Sequence, residues 1–277
     1  MSTNEQEIQQ IIEKYWTGSA KGYSELIKNE LSSFLKDAWR NKILAKAPKK
    51  ECMDILDIGT GPGFFSIILG EAGHHMTAID CTEKMLAEAK SNAAVAGLKV
   101  NFYQMDSHSL DFPDNSFDLI VNRNVAWTLY DPPAAYREWQ RVLRVGGRLI
   151  IFDANWGLYC FDEETERQNN ENSALYRKKY GEPPKINKVD EEYIDKMFLS
   201  NLQRPEWDID TLKKMGFAVS YEENVAGELW MKPQQLLYGA TPMFMVVGEK
   251  KSKVSTGVVD YHSNNGFPYC LRKLPRQ

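Results

Sequence analysis

The stretch "LDIGTGPG", residues 56–63, sets Gly59, Gly61 and Gly63 directly after an apolar run. Glycines so spaced leave the main chain bare, and a bare main chain at the end of a strand suits a ligand lying flat against it. The chemistry then turns on whether that ligand brings phosphates. A dinucleotide site needs G-x-G-x-x-G, and its third glycine would fall on Phe64. A Walker loop needs Lys-Ser/Thr after the glycines, and none follows. Phe64 and Phe65 would crowd a pyrophosphate. Asp57, two residues before the first glycine, repels phosphate and attracts an ammonium or a sulfonium.

Further along, Asp80 closes an apolar segment about 20 residues past the loop, where a carboxylate accepts both hydroxyls of a ribose. Cys81 and Met85 can flank a purine with apolar surface, and Asp106, beside Ser107, can accept from an adenine amino group. Thr60 in the loop and Asn122 complete the set assigned to the ligand. Singly, each has a plain alternative: a tight turn for the glycines, a helix cap for Asp80 or Asp106. Jointly and in this order they describe a nucleoside, a positively charged amino-acid part and no phosphate. That ligand is S-adenosyl-L-methionine, with S-adenosyl-L-homocysteine as its spent form.

Alternating strands and helices must hold these positions. "MDILDI", "MTAID" (76–80), "VNFYQ", "FDLIV" (117–121) and "GRLIIF" (147–152) read as strands. Helices fall between them: from Pro62 to about Glu71, from the cap Thr82 to Gly97, and over 131–143 behind Asp131 and two prolines. Repeated β-α-β with short connections implies a parallel sheet covered by helices on both faces. Ahead of this unit, 5–14 and 24–45 read as helices, with a bend expected between them at Gly18 and Gly22. The polar stretch 154–204 breaks the alternation and reads as a helical insertion. Helix "WDIDTLKKMGF" and strands "AVSYEENV" and "PMFMVVGEK" follow it. The expected division is therefore an N-terminal helical lid (1–47), a ligand-binding α/β domain (48–153 and 205–249), a cap for a second substrate (154–204) and a tail (250–277).

Composition excludes several classes. Of 277 residues, 34 are basic and 38 acidic, a net charge of −4 without a basic block, so nucleic acid is not an expected partner. No apolar run nears the roughly 20 residues that span a bilayer, and the polar N-terminus lacks a secretory pattern. Cys52, Cys81, Cys160 and Cys270 form no CxxC pair, which fits a reduced cytoplasm and no metal site. Oligomeric state is left open.

The motifs "DIGTGPG", "AID" with Met85, "MDS", "FDLIV" and "RVLRVGGRL" together resemble the class I S-adenosylmethionine-dependent methyltransferases, over about 50–155 and 205–249. "NRNV" after the fourth strand and "AKGY" near the N-terminus are further similar to the quinone-biosynthesis C-methyltransferases, of the methyltransferase type 11 group. The resemblance implies a Rossmann-like, doubly wound, mainly parallel seven-stranded sheet whose last strand is antiparallel. It also implies a reaction centre at Tyr23, Arg123 and Asn124. The aromatic-studded insertion departs from that family, so the acceptor is not carried over.

Transfer from a sulfonium is an in-line displacement, for which alignment supplies most of the acceleration. A base is needed only where the acceptor must lose a proton. Arg123 can orient an anionic or carbonyl acceptor or polarise a water; its alternative role is a structural ion pair. Tyr23 can cover the methyl group as the N-terminal helices close, or merely pack. Asp153 is the best-placed carboxylate for a general base, against an alternative of loop anchoring. Trp127, Asn155, Trp156 and Tyr159 are assigned to the acceptor, with Phe161 beside them. "DPPAAY" (131–136) lies too far past strand four to be an amino-group methylation site, and His108 reads as a solvent-facing loop residue. The expected function is methylation of a small molecule. A protein or RNA acceptor, a non-catalytic cofactor sensor or scaffold, and a nicotinamide-dependent oxidoreductase are the competing readings.

Overall fold

Strand β1 (Asp54–Ile58) is apolar toward both faces, so both must be covered, and it lies at the centre of a seven-stranded sheet. The computed structural model describes residues 2–183 and 191–252. Strands β2 (His75–Asp80), β3 (Asn101–Gln104), β4 (Phe117–Arg123), β5 (Leu143–Asp153), β6 (Phe217–Glu222) and β7 (Phe244–Lys250) complete the sheet in the order β3-β2-β1-β4-β5-β7-β6. β2, β3, β4 and β5 run parallel to β1, while β7 is antiparallel to both β5 and β6. The order reverses at β1, and β4 pairs on its other side with Ile58 opposite Asn122. A ligand crevice opens at such a reversal, because the helices leaving neighbouring strands go to opposite faces.

Helices α2 (Leu35–Lys46) and α3 (Phe64–Gly70) cover one face. There Trp39, Ile43, Phe64 and Phe65 pack against Ile55, Leu119, Val121 and Phe152. On the other face, α5 (Pro132–Val142) and α8 (Glu206–Lys214) bring Tyr136, Trp139, Trp207 and Leu212 against Leu56, Ile120, Leu149 and Val246. The alternation along the central strands β1, β4, β5 and β7 thus feeds two separate cores. α4 (Glu83–Val95) follows β2, with Thr82 at its N-cap position. Between β5 and α8 stand a 3-10 turn at Leu158–Cys160, α6 (Glu163–Tyr180) and α7 (Glu191–Ile194); α9 (Ala226–Leu229) and α10 (Lys232–Leu237) lie between β6 and β7.

One sequence expectation is overturned. The N-terminal segment does not bend at Gly18 and Gly22: α1 is a single helix from Thr3 to Leu31, opened by a capping box in which Ser2 and Glu5 exchange hydrogen bonds. Each glycine costs a helix interior about 1 kcal/mol relative to alanine. Tertiary contact offsets that cost, because Ser19, Ala20 and Ser24 are buried and Asn92 of α4 donates to the Ser24 hydroxyl. The actual break comes at 32–34. The tail assigned from 250 lies, from 253 onward and with Cys270, outside the described residues.

Candidate active-site crevice

The β1–α3 loop takes its shape from Asp57. Its Oδ2 accepts from the Thr60 hydroxyl (2.6 Å), the Ser66 hydroxyl (2.7 Å) and the Ser66 amide (3.0 Å). Burial lifts this carboxyl to about 6, against those hydrogen bonds and the nearby Arg123 charge. Asp57 therefore staples the loop from beneath and does not line the crevice. Thr60 shares that buried network, its amide donating to Ile79 O, so it too acts on the loop and not toward a ligand.

Gly59, Gly61 and Gly63 all have positive φ (62°, 52° and 93°), the region where glycine alone is unstrained. A Cβ on Gly59 would stand 2.4 Å from Val125 Cγ2, and one on Gly61 would face the Tyr23 ring at 3.6 Å. Gly63 instead packs on Ala89 of α4. Glycine thus serves the crevice directly at 59 and 61, and serves helix packing at 63.

Asp80 reaches back from the end of β2. Its Oδ2 accepts from Gly61 N and its Oδ1 from Thr82 N, both at 2.9 Å. Burial raises this carboxyl, opposed by those two amides. It lines the crevice with Ile79, Cys81 and Met85, and burial pushes the Cys81 thiol up to about 12. Met105, Asp106, Ser107 and His108 form the next wall. His108 is not solvent-facing: its side chain is 7% exposed and its ring stacks on Tyr130 at 3.6 Å.

At the end of β4, Arg123 and Asn124 face the same crevice. The guanidinium pairs with Glu30 of α1 at 2.7 Å, has the Tyr23 hydroxyl as a second partner, and lies over the rings of Phe64 (4.7 Å) and Trp39 (5.0 Å). Burial disfavours its charge, but Glu30 and Tyr23 outweigh that and raise its pKa. Asn124 has φ +58°, and its Oδ1 is buried without a partner beside the crevice. A buried amide oxygen left unpaired loses its hydration for nothing, so it is a ready acceptor for a ligand ammonium or amine. The donor and acceptor set fits a nucleoside bearing a cationic tail.

Several assigned residues lie elsewhere. Asn122 is fully buried in the sheet, with both side-chain atoms unpaired, and does not reach the crevice wall. Asp153 is fully buried, and every contact it makes is an anchor. It pairs with Arg204 at 2.9 Å and accepts from the amides of Trp127 and Ala154 and from Trp156 Nε1. A carboxylate holding four donors away from the crevice is a brace, not a base. Trp127 packs with Ile8, Ile12 and Met197 under α1, and Trp156 bridges that cluster to Trp230 and Tyr238. Asn155 donates to Arg204 O, and Tyr159 packs with Cys160, Phe161 and Ile194. None of these residues lines the crevice; Trp127 and Trp156 lie behind it, in the cluster that Ile12 and Trp16 of α1 share.

Sequence reasoning missed Gln9, Ile12 and Trp16, which line the crevice from α1, and Glu30, which neutralises Arg123. The i, i+4 spacing of Ile12 and Trp16 was the available signal for a buried helix face. It also missed the buried group formed by Arg204, Asp208 and Tyr136, in which Arg204 Nε donates to Asp208 Oδ2 at 2.8 Å and Tyr136 donates to Asp208 Oδ1 at 2.5 Å.

Comparison with known proteins agrees with this geometry. Residues 56–151 match the family model described as "Methyltransferase domain". Over 128 residues the chain is 35% identical to the demethylmenaquinone methyltransferase of Thermus thermophilus, a match covering 45% of this chain and 58% of that protein. Over 134 residues it is 31% identical to the ubiquinone/menaquinone biosynthesis C-methyltransferase UbiE of Shewanella woodyi, covering 46% and 53%. The chain thus spans little more than half the length of these curated relatives. Among solved structures, it resembles a SAM-dependent methyltransferase from Aquifex aeolicus, with TM-score 0.51 and 22% identity over 81% of this chain and 97% of that one. It also resembles the (4+2)-cyclase SpnF, with TM-score 0.53 and 17% identity over 78% and 81%. Likeness at that distance concerns the fold alone, and these two neighbours carry different chemistry on it.

Proposed function

Taking residues 56–151 as a class I methyltransferase domain, we propose that the chain binds S-adenosyl-L-methionine and transfers its methyl group to a small-molecule acceptor. The observation that carries this reading is one wall of one crevice. Gly59 and Gly61 present bare main chain, the Asp80 carboxylate stands beside them, and Asp106 lies beyond, with no lysine or phosphate-binding turn at hand. The cofactor supplies a methyl group already activated by a positive sulfur. The chain's own residues then bind, orient and exclude water. Asp80 would accept from the ribose, Asp106 from the base, and Asn124 Oδ1 from an N–H group; Met85 and Cys81 offer apolar cover.

Arg123 and Tyr23 stand at the methyl end of that arrangement. Because Glu30 already balances the guanidinium charge, the site favours an uncharged acceptor over a carboxylate. The relatives' names place their own acceptors among quinones, which makes a quinol one member of the panel to test. Helix α1 and the 154–204 segment are proposed as the cap over the acceptor.

Calorimetry on the full chain tests the cofactor: S-adenosyl-L-methionine and S-adenosyl-L-homocysteine should bind and NAD should not. Binding of NAD alone, or of none of the three, would overturn the reading. Turnover against phenols, amines, thiols and quinols then separates an enzyme from a cofactor sensor. Arg123→Lys, which keeps the charge facing Glu30, should lower turnover at least tenfold, about 1.4 kcal/mol, while leaving S-adenosyl-L-homocysteine affinity within about threefold.

A further inference from the structure

We infer that His108 and Tyr130 are positioning residues that hold Asp106 as a single-site acceptor and thereby select adenine at the base end of the crevice. The inference rests on the cofactor reading above and adds residues to which the motifs assign no role. The two side chains fix both oxygens of the carboxylate. Asp106 Oδ1 accepts from the His108 amide (2.9 Å) and lies 2.7 Å from His108 Nδ1, and Oδ2 accepts from the Tyr130 hydroxyl (2.7 Å).

The tautomer of His108 follows from its other nitrogen. The Asp131 amide donates to His108 Nε2 at 3.3 Å, so Nε2 is the acceptor and Nδ1 carries the proton that goes to Asp106. Burial would push the Asp106 carboxyl up, but the hydrogen bonds from His108 and Tyr130 outweigh it and leave it below the usual carboxylate range. Oδ1 then has both lone pairs used, while Oδ2 keeps one. One acceptor site, fixed in direction, suits one N–H of an exocyclic amino group; a carbonyl oxygen there would meet the carboxylate as a repulsion.

The segment "DPPAAYREW" thereby gains a use other than methyl-acceptor recognition. Asp131 caps α5 through Ala134 N, and Trp139 Nε1 donates to Ser107 O. Glu138 accepts from Leu110 N at 3.1 Å. From its N-cap Asp131 to Glu138 and Trp139 in its second half, α5 thus holds the 106–110 loop along its length, and the stacked His108–Tyr130 pair transmits that rigidity to Asp106.

The test compares S-adenosyl-L-homocysteine with its hypoxanthine counterpart, S-inosyl-L-homocysteine, by calorimetry on the full chain. Wild type should prefer the adenine ligand by tenfold or more. His108→Ala and Tyr130→Phe should each shrink that preference at least severalfold, with the adenine ligand losing affinity and the hypoxanthine ligand hardly changing. His108→Asn, whose amide nitrogen can replace Nδ1 as donor, should restore most of it. Tyr130→Phe retains the ring and its stack, so it remains informative if the alanine variant fails to fold. Equal loss for both ligands, or an asparagine variant no better than alanine, would overturn the inference while leaving the cofactor reading intact. Failure of wild type to bind either ligand would remove both.

Discussion

Arg123 and Glu30, 93 positions apart, form an ion pair at 2.7 Å with side chains only 10% and 12% exposed. The pair ties the end of β4 to helix α1, and so ties the crevice floor to one of its walls. Removing one partner strands a charge in a low-dielectric site, which typically costs about 3–5 kcal/mol. Glu30→Gln and Arg123→Met should each lower stability by that order, and the double variant should recover much of the loss. Urea unfolding of the four proteins measures this; a double variant showing the plain sum of both losses would count against a coupled pair.

Asp153 separates bracing from catalysis. It holds Arg204, two amides and an indole at the end of β5, so Asp153→Asn should cost about 3–5 kcal/mol. Measured well below the lowered melting point, turnover should stay within about threefold of wild type. A loss of several orders of magnitude in a folded variant would restore the base assignment.

Asp57 makes a prediction about pH. Burial raises its folded carboxyl to about 6 from 3.8, so between those values the native state holds the proton more tightly than the unfolded chain. Stability from this group is present at low pH and falls as pH rises toward 6, by about 3 kcal/mol in total, and is level above. Asp57→Asn should lack that component. The difference between the two urea-midpoint curves from pH 4 to 7 isolates it from carboxylates held low by partners, such as Asp54 and Asp118.

The two crevice glycines should differ under substitution. Gly59→Ala adds a clash with Val125 to the strain of positive φ, whereas Gly61→Ala meets only ordinary contact with Tyr23. Strain costs each about 1–2 kcal/mol, and overpacking adds about 1–3 more at Gly59. Thermal melts should therefore rank Gly59→Ala below Gly61→Ala, and Val125→Ala should rescue the former in part. Equal melting points would mean that Val125 yields freely.

Gly18 and Gly22 lie on the exposed side of a continuous helix. Replacing each with Ala should stabilise the chain by about 0.5–1 kcal/mol, because both positions are exposed and alanine is the better residue in a helix interior. Destabilisation by either change would show that a kinked α1 is the more stable state of the free protein.

How far the sequence reached can be judged residue by residue. The glycine loop, Asp80 and the alternating strands were legible because each rests on local rules: backbone conformation at Gly59 and Gly61, spacing along one β-α-β unit, and period-two burial. Arg123 and Asn124 were legible as positions at the end of a strand. The sequence could not tell whether Arg123 meets a substrate or a carboxylate, because Glu30 lies 93 residues upstream on another helix.

The same boundary separates the other outcomes. Asp57 and Asp153 are both carboxylates at strand ends, and nothing in their neighbours along the chain distinguishes them from Asp80. Burial and the Thr60 and Ser66 donors of its own loop made a brace of Asp57, donors from Trp127 and Arg204 far along the chain made one of Asp153, and Asp80 was left on the crevice wall. The unbroken α1 is of the same kind, since two glycines argue locally for a bend and packing against α4 overrules them. The sequence alone determined the alternation of strands and helices and the bare turn at Gly59 and Gly61, because those depend on residue types a few positions apart, whereas the order of the sheet and its reversal at β1 rest on pairings such as Ile58 with Asn122. Only the tertiary structure decided which charged groups face the ligand, because charge in a buried site is governed by whichever partner the fold brings within hydrogen-bond distance.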